Sequence, residues 1–142
     1  MTNTDMARSY LREAQQILGE AERHLEARVW HLVVRRSQEA VELALKALLR
    51  ASGIEVPRVH DVGIFLVDHI DRLPPTVVPH LDRLVSVSRR LRQEREISFY
   101  GDEETGASPD RLYSHDDAEA ALHDARFVLT VSAGGISGSA AK

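Results

Sequence analysis

The chain has 142 residues, 43% of them hydrophobic and 28% charged, which suits one compact domain with a real core and a soluble surface. The absence of cysteine excludes disulfides and thiolate metal sites, and a formal net charge of -4 argues against a general nucleic-acid coat protein. No apolar run is long enough to cross a bilayer, and Met1–Tyr10 lacks a basic stretch followed by an apolar one, so a cytoplasmic protein without membrane association is expected.

The first helix is predicted from a cap at Thr4 to about Glu26. Tyr10, Ala14, Ile17, Leu18, Ala21 and Leu25 fall at helical spacing, with Arg12, Glu13, Gln16 and Glu20 opposite. The second helix is predicted over about Val29–Ala51. Trp30, Val34, Ser37, Val41, Ala44, Leu45 and Leu48 share one face, and Arg35, Gln38, Glu42 and Lys46 gather on another. Glu42 precedes Lys46 by four residues, the favourable order for a helical ion pair. Leu32 and Leu43 on the polar side suggest a second covering neighbour or subunit. Gly53 reads as a left-handed helix stop, and Pro57 holds Val56 extended.

A third helix starts near His60–Asp61, where either side chain can cap the first turn, and ends at Pro74–Pro75. Phe65, Leu66, Ile70 and Leu73 form its inner stripe. The fourth spans roughly Val77–Ile97, with a stripe of Val77, Leu81, Leu84, Ser88 and Leu91. Four residues further the stripe lands on Arg95. A buried arginine needs a partner, either a carboxylate such as Glu42 or a ligand anion in a cleft. Tyr100–Tyr113 reads as a loop. Ser114 then caps a fifth helix, with Asp117 completing a capping box, and Ala118, Ala121, Leu122, Ala125, Val128 and Leu129 form its packing face. The expected organisation is an all-α antiparallel up-and-down bundle of about five helices over residues 1–132, with a flexible tail over 133–142.

At the second helix the pattern becomes that of a known family. The run Gln38-x-Ala40-Val41-Glu42-x-x-x-Lys46-Ala47-Leu48-Leu49, then Gly53, Pro57 and His60-Asp61, resembles the HEPN domain family of bacteria and archaea. Arg95-Glu96-x-x-x-Tyr100-Gly101-Asp102, then Pro109, Tyr113 and Asp117-Ala118, is similar to the end of that domain. The resemblance covers about Tyr10–Leu129. It implies a helical bundle, a homodimer, and work on nucleotides or RNA. Many members are metal-independent ribonucleases and toxins that use an arginine followed after four to six residues by histidine. Others act beside a minimal nucleotidyltransferase in toxin–antitoxin-like pairs.

After Arg95 those positions hold Tyr100, Gly101 and Asp102, and no histidine. Attack by a ribose hydroxyl on its phosphate needs a proton acceptor with a pKa near neutral. Arginine stabilises the transition-state charge but does not readily take a proton, and tyrosine is a poor base at neutral pH. The resemblance therefore implies a binding module for nucleotide or RNA without the standard catalysis. In that reading Arg95 holds phosphate, with Lys46, Glu42, Gln38 and Asp102 around it. A second reading is a metal-independent endoribonuclease in which Arg95 carries the charge and Tyr100 or His60 replaces the base. A third is a purely structural interaction bundle with Arg95 paired to Glu42. His115, Asp116 and Asp117 resemble metal ligands only on paper, because adjacent helical residues point apart. No metal or cofactor is assigned.

Overall fold

A computed structural model describes residues 2–56, 58 and 61–140, the side chains as far as residue 137. Six helices follow in order: α1 (Asn3–Glu26), α2 (Trp30–Ala51), α3 (Val62–Asp68), α4 (Leu81–Tyr100), α5 (Pro109–Leu112) and α6 (His115–Ala140). The described residues contain no strand, only a single bridge between Asp102 and Ala107. The all-α bundle expected from the sequence is the fold observed.

Helix α2 is the central element. Val33, Val34, Ala40, Val41, Ala44, Leu45, Ala47, Leu48 and Leu49 are all buried along it, covering more than one face because α1, α4 and α6 pack around it. A short connection folds α1 back onto α2, as in an antiparallel helix pair, and Glu20 pairs with Arg36 across them at 3.3 Å. Ala7, Ala14 and Ala21 are fully buried on α1. Such small side chains let helix axes approach closely. On the other side, Arg90 and Arg83 of α4 reach Asp124 of α6 at 3.1 and 3.9 Å.

The helix ends are written in short-range chemistry. Thr2, not Thr4, caps α1. Its hydroxyl accepts from the Asp5 amide at 3.1 Å, and the Asp5 carboxylate accepts from the Thr2 amide at 3.2 Å. The Thr2 amide and the Thr2 hydroxyl both donate to the Asp5 carboxylate, which favours its ionised form and holds it below the ordinary aspartate range. Thr4 lies inside the first turn. At the end of α2, Gly53 adopts φ +75°. Its amide bonds to Arg50 O at 3.0 Å and the Ile54 amide to Leu49 O at 2.9 Å, the paired bonds of a Schellman stop. Asp61 caps α3 through the Gly63 amide at 3.0 Å. Ser114 and Asp117 form the expected reciprocal box at α6, at 3.1 and 2.9 Å.

Several boundaries differ from expectation. The fourth helix, expected over Val77–Ile97, opens at Leu81 after a 3-10 turn at Val78–His80 and runs to Tyr100. The third helix is shorter, giving way after Asp68 to a single 3-10 turn at Ile70–Arg72. The segment after Tyr100 is not wholly irregular: it closes through Asp102 N to Ala107 O at 2.9 Å and Gly106 N to Asp102 O at 2.8 Å, then forms α5. Gly101, at φ +84°, makes this turn possible, since a Cβ there would collide with Ala107 O. Finally, α6 continues through the residues assigned to a flexible tail, as far as Ala140, and Ile136 is 2% exposed.

Candidate functional site

Between α2 and α4 lies a cavity of about 200 Å³. Gln38, Val41 and Glu42 line it from α2, at i, i+3 and i+4. Ser88, Leu91, Arg92 and Arg95 line it from α4, at i, i+3, i+4 and i+7. Val62 at the start of α3 and Arg58 in the connector complete it. Helical periodicity explains the alignment: each set occupies one face of its helix. The buried lining is mixed, Val41, Val62 and Leu91 with Gln38 and Ser88, and three exposed arginines complete it.

The sequence allowed an inward Arg95 paired with Glu42, and the structure does not have it. Arg95 is exposed. The core stripe of α4 passes from Leu91 to Ser98, which is fully buried, so Arg95 flanks the stripe where the cavity opens. Glu42 is already engaged. It accepts from Gln38 Nε2 at 2.8 Å and pairs with Lys46 Nζ at 3.2 Å. Among the described residues, Arg58, Arg92 and Arg95 have no carboxylate within 4.0 Å. Within that described set, the cavity holds one neutralised carboxylate and three guanidinium groups without an acidic partner.

Of the residues singled out in the sequence, Gln38, Glu42 and Arg95 come together here. Gln38 is 4% exposed, its amide fixed on Glu42. Lys46 does not join them: it lies on the outer side of Glu42 with Glu39 and Leu43. Tyr100 lines a second, broader hollow of about 660 Å³ with Arg35, Arg92, Arg95 and Phe99. Asp102 lines neither hollow and is used to close its own loop, its carboxylate accepting from the Glu104 amide at 3.0 Å. His60 and Pro57 lie outside the described residues. Arg58 and Arg92 are the site residues that sequence reasoning missed. Arg92 carried a signal, since it precedes Arg95 by three residues and so shares its face. Arg58 carried none, because its place depends on how the connector crosses the bundle.

The family model described as "HEPN domain" matches residues 7–135. The chain belongs to the HEPN family. Among solved structures, this HEPN chain is similar to TT1696 from Thermus thermophilus, at 29% identity and TM-score 0.75, covering 91% of this chain and 97% of that one. It also shares the fold of ST0689, an archaeal HEPN homologue, at 24% identity and TM-score 0.70, covering 92% and 97%. No curated protein matches it.

Two further features of this HEPN domain lie away from the cavity. Tyr113 donates to Glu94 Oε2 at 2.5 Å. Burial and the neighbouring Glu94 carboxylate push its phenol well above the ordinary tyrosine value, so it is a structural donor and not an acid or base at neutral pH. His115, Asp116 and Glu119 bring ligand atoms within 4.8 Å of one another, all three exposed, whereas Asp117 is turned back to cap α6. His115 Nε2 already meets Glu119 at 2.9 Å, and no cation is assigned to the group. No described helix is long and apolar enough to cross a membrane.

Proposed function

We propose that this HEPN domain is a binding module for a phosphate-bearing ligand, a nucleotide or RNA, and that it lacks the standard catalysis of the ribonuclease members. One observation carries this reading: Arg58, Arg92 and Arg95 converge on a cavity whose only described carboxylate, Glu42, is already neutralised by Lys46. Planar guanidinium groups match phosphate oxygens bidentately. Locally unbalanced positive charge attracts an anion even on a chain of net charge -4, because screening confines each exposed charge to its neighbourhood. Glu42 and Gln38 then serve as polar groups at the cavity wall, with the Gln38 amide and Glu42 fixed on each other. A homodimer and a minimal nucleotidyltransferase acting in a toxin–antitoxin-like pair belong to the same reading. The half-exposed Ile64 and Val67 on α3 offer apolar surface for a second chain.

A second reading, a metal-independent endoribonuclease with a replaced base, is favoured by a different observation. Tyr100, the other candidate for the base, lines a hollow that shares Arg92 and Arg95 with the cavity. One experiment separates the two. The purified protein and its Arg95→Ala variant are heated with and without nucleotides and short RNAs, and the RNA is then inspected for cleavage in the presence of EDTA. A ligand that binds only the folded state raises the melting temperature by mass action, about 2.7 kcal/mol at a hundredfold excess over Kd. The binding module gives a shift in wild type, none in Arg95→Ala, and intact RNA. EDTA-resistant cleavage that disappears in Arg95→Ala establishes the enzyme instead. No shift with any ligand, together with intact RNA, overturns both.

A further inference from the structure

The C-terminal end of α4 carries exposed aromatic side chains that no packing requirement explains. Phe99 is 51% and Tyr100 71% exposed. Neither is loose. The Arg35 guanidinium lies over the Phe99 ring at 4.0 Å, and Arg35 is itself held by Glu39 at 3.2 Å and by Arg95 O at 3.4 Å. Phe99 in turn meets Tyr100 edge to face, with centroids 4.7 Å apart and planes at 86°. A chain of contacts thus runs from α2 to Arg35, Phe99 and Tyr100, and its last member is the most exposed. Gly101 stops the helix directly afterwards.

The hollow beside these rings adjoins the α2–α4 cavity, since Arg92 and Arg95 line both. Within the hollow, Arg35, Arg92 and Arg95 face one carboxylate, Glu96. The helix dipole orders what binds where. The free carbonyls at the end of α4 carry partial negative charge, which disfavours phosphate beside Tyr100 and leaves that place to a neutral group. Arg95 stands five residues earlier, about 7.5 Å back along the axis, where phosphate is welcome. An exposed aromatic face next to guanidinium groups is the combination that takes up unpaired bases, since every base has a π face.

We propose that Tyr100, braced by Phe99 and Arg35, is a base-stacking shelf beside the arginine cavity, so that the ligand is an unpaired strand with one phosphate at Arg92 and Arg95 and the adjoining base on Tyr100. This rests on the reading of the α2–α4 cavity as a phosphate site. It adds that the base, and not the phosphate alone, contributes to affinity, and that Tyr100 is the residue through which it does so.

The test compares a labelled short adenylate strand with an abasic strand of equal length and charge, by fluorescence anisotropy. Wild type is expected to bind the intact strand about tenfold more tightly, the range of one base–aromatic stack. Tyr100→Ala brings the intact strand down to the abasic level, Tyr100→Phe restores the difference, and neither moves abasic affinity. Arg95→Ala weakens both strands by a common factor. If Arg95→Ala weakens both while Tyr100→Ala leaves their ratio unchanged, the shelf is overturned and the phosphate site stands. If wild type binds neither strand, the phosphate site itself has failed and the shelf with it. If Tyr100→Ala instead converts a self-associated protein to monomer in sedimentation, with no base dependence, the rings are a contact between copies of this chain and the shelf is overturned. Tyr100 is largely exposed, so its variants are expected to keep the melting temperature of the wild type.

Discussion

Glu42 accepts from Gln38 and pairs with Lys46, and this local arrangement is what leaves Arg95 available. An exposed guanidinium costs little when water solvates it, and a charge-assisted hydrogen bond to an anion returns about 1.5–3 kcal/mol. Arg95 is therefore poised for a ligand and contributes little to the fold. Tyr113 is the opposite case. Its phenol is half-buried against Glu94, and burial followed by that carboxylate raises its pKa. A raised folded-state pKa favours the neutral phenol, so its contribution is present below the ordinary tyrosine value and lost as pH rises beyond it. Tyr113→Phe is expected to lower stability by about 1 kcal/mol at neutral pH and to flatten the alkaline loss of stability expected of wild type. Denaturation midpoints across that pH range check both; an unchanged alkaline limb in the variant contradicts the assignment.

Among the elements, α1, α2 and α6 were legible because their apolar periodicity is long; side chains cap the starts of α1 and α6, whereas α2 opens at Val29 without one. Gly53 was readable as a stop, and the paired bonds from Gly53 and Ile54 explain why. Gly53→Ala forces a side chain into the left-handed region and brings a Cβ to 3.0 Å from Arg72 Nη2, which holds the carbonyls of Ser52 and Gly53 at 3.3 and 2.9 Å. A loss of about 1–2 kcal/mol is expected, read as a lower denaturant midpoint at constant m-value; an unchanged midpoint contradicts this account of the stop. Less was legible where two local signals compete. Thr2 and Thr4 both suit a cap, and the deciding partner was Asp5, three residues after Thr2. The residues after Ala133 read as flexible because they are small, yet small residues are also what a helix needs to pass close to its neighbours, and Ile136 anchors them. Arg95 stood out in the sequence as a charge continuing an apolar stripe, but its relation to Glu42 depended on side-chain pairing that spacing alone does not settle.

At the scale of the whole molecule, an acidic chain presents an arginine-rich face where four segments meet: α2, the connector before α3, the start of α3, and α4. Their convergence is a property of the bundle, and for that reason Arg58 was invisible in the sequence while Gln38, Glu42 and Arg95 were not. The aromatic end of α4 extends the same face. The most direct test of this picture is to titrate a short single-stranded RNA into isotope-labelled protein and follow the backbone amides by NMR. The expected result is a contiguous set of shifting amides over residues 35–42 of α2 and 88–100 of α4, weakened by added salt as counterion release requires and absent from Arg95→Ala. Shifts confined to another face of the bundle, or an unchanged spectrum at saturating RNA, contradict it.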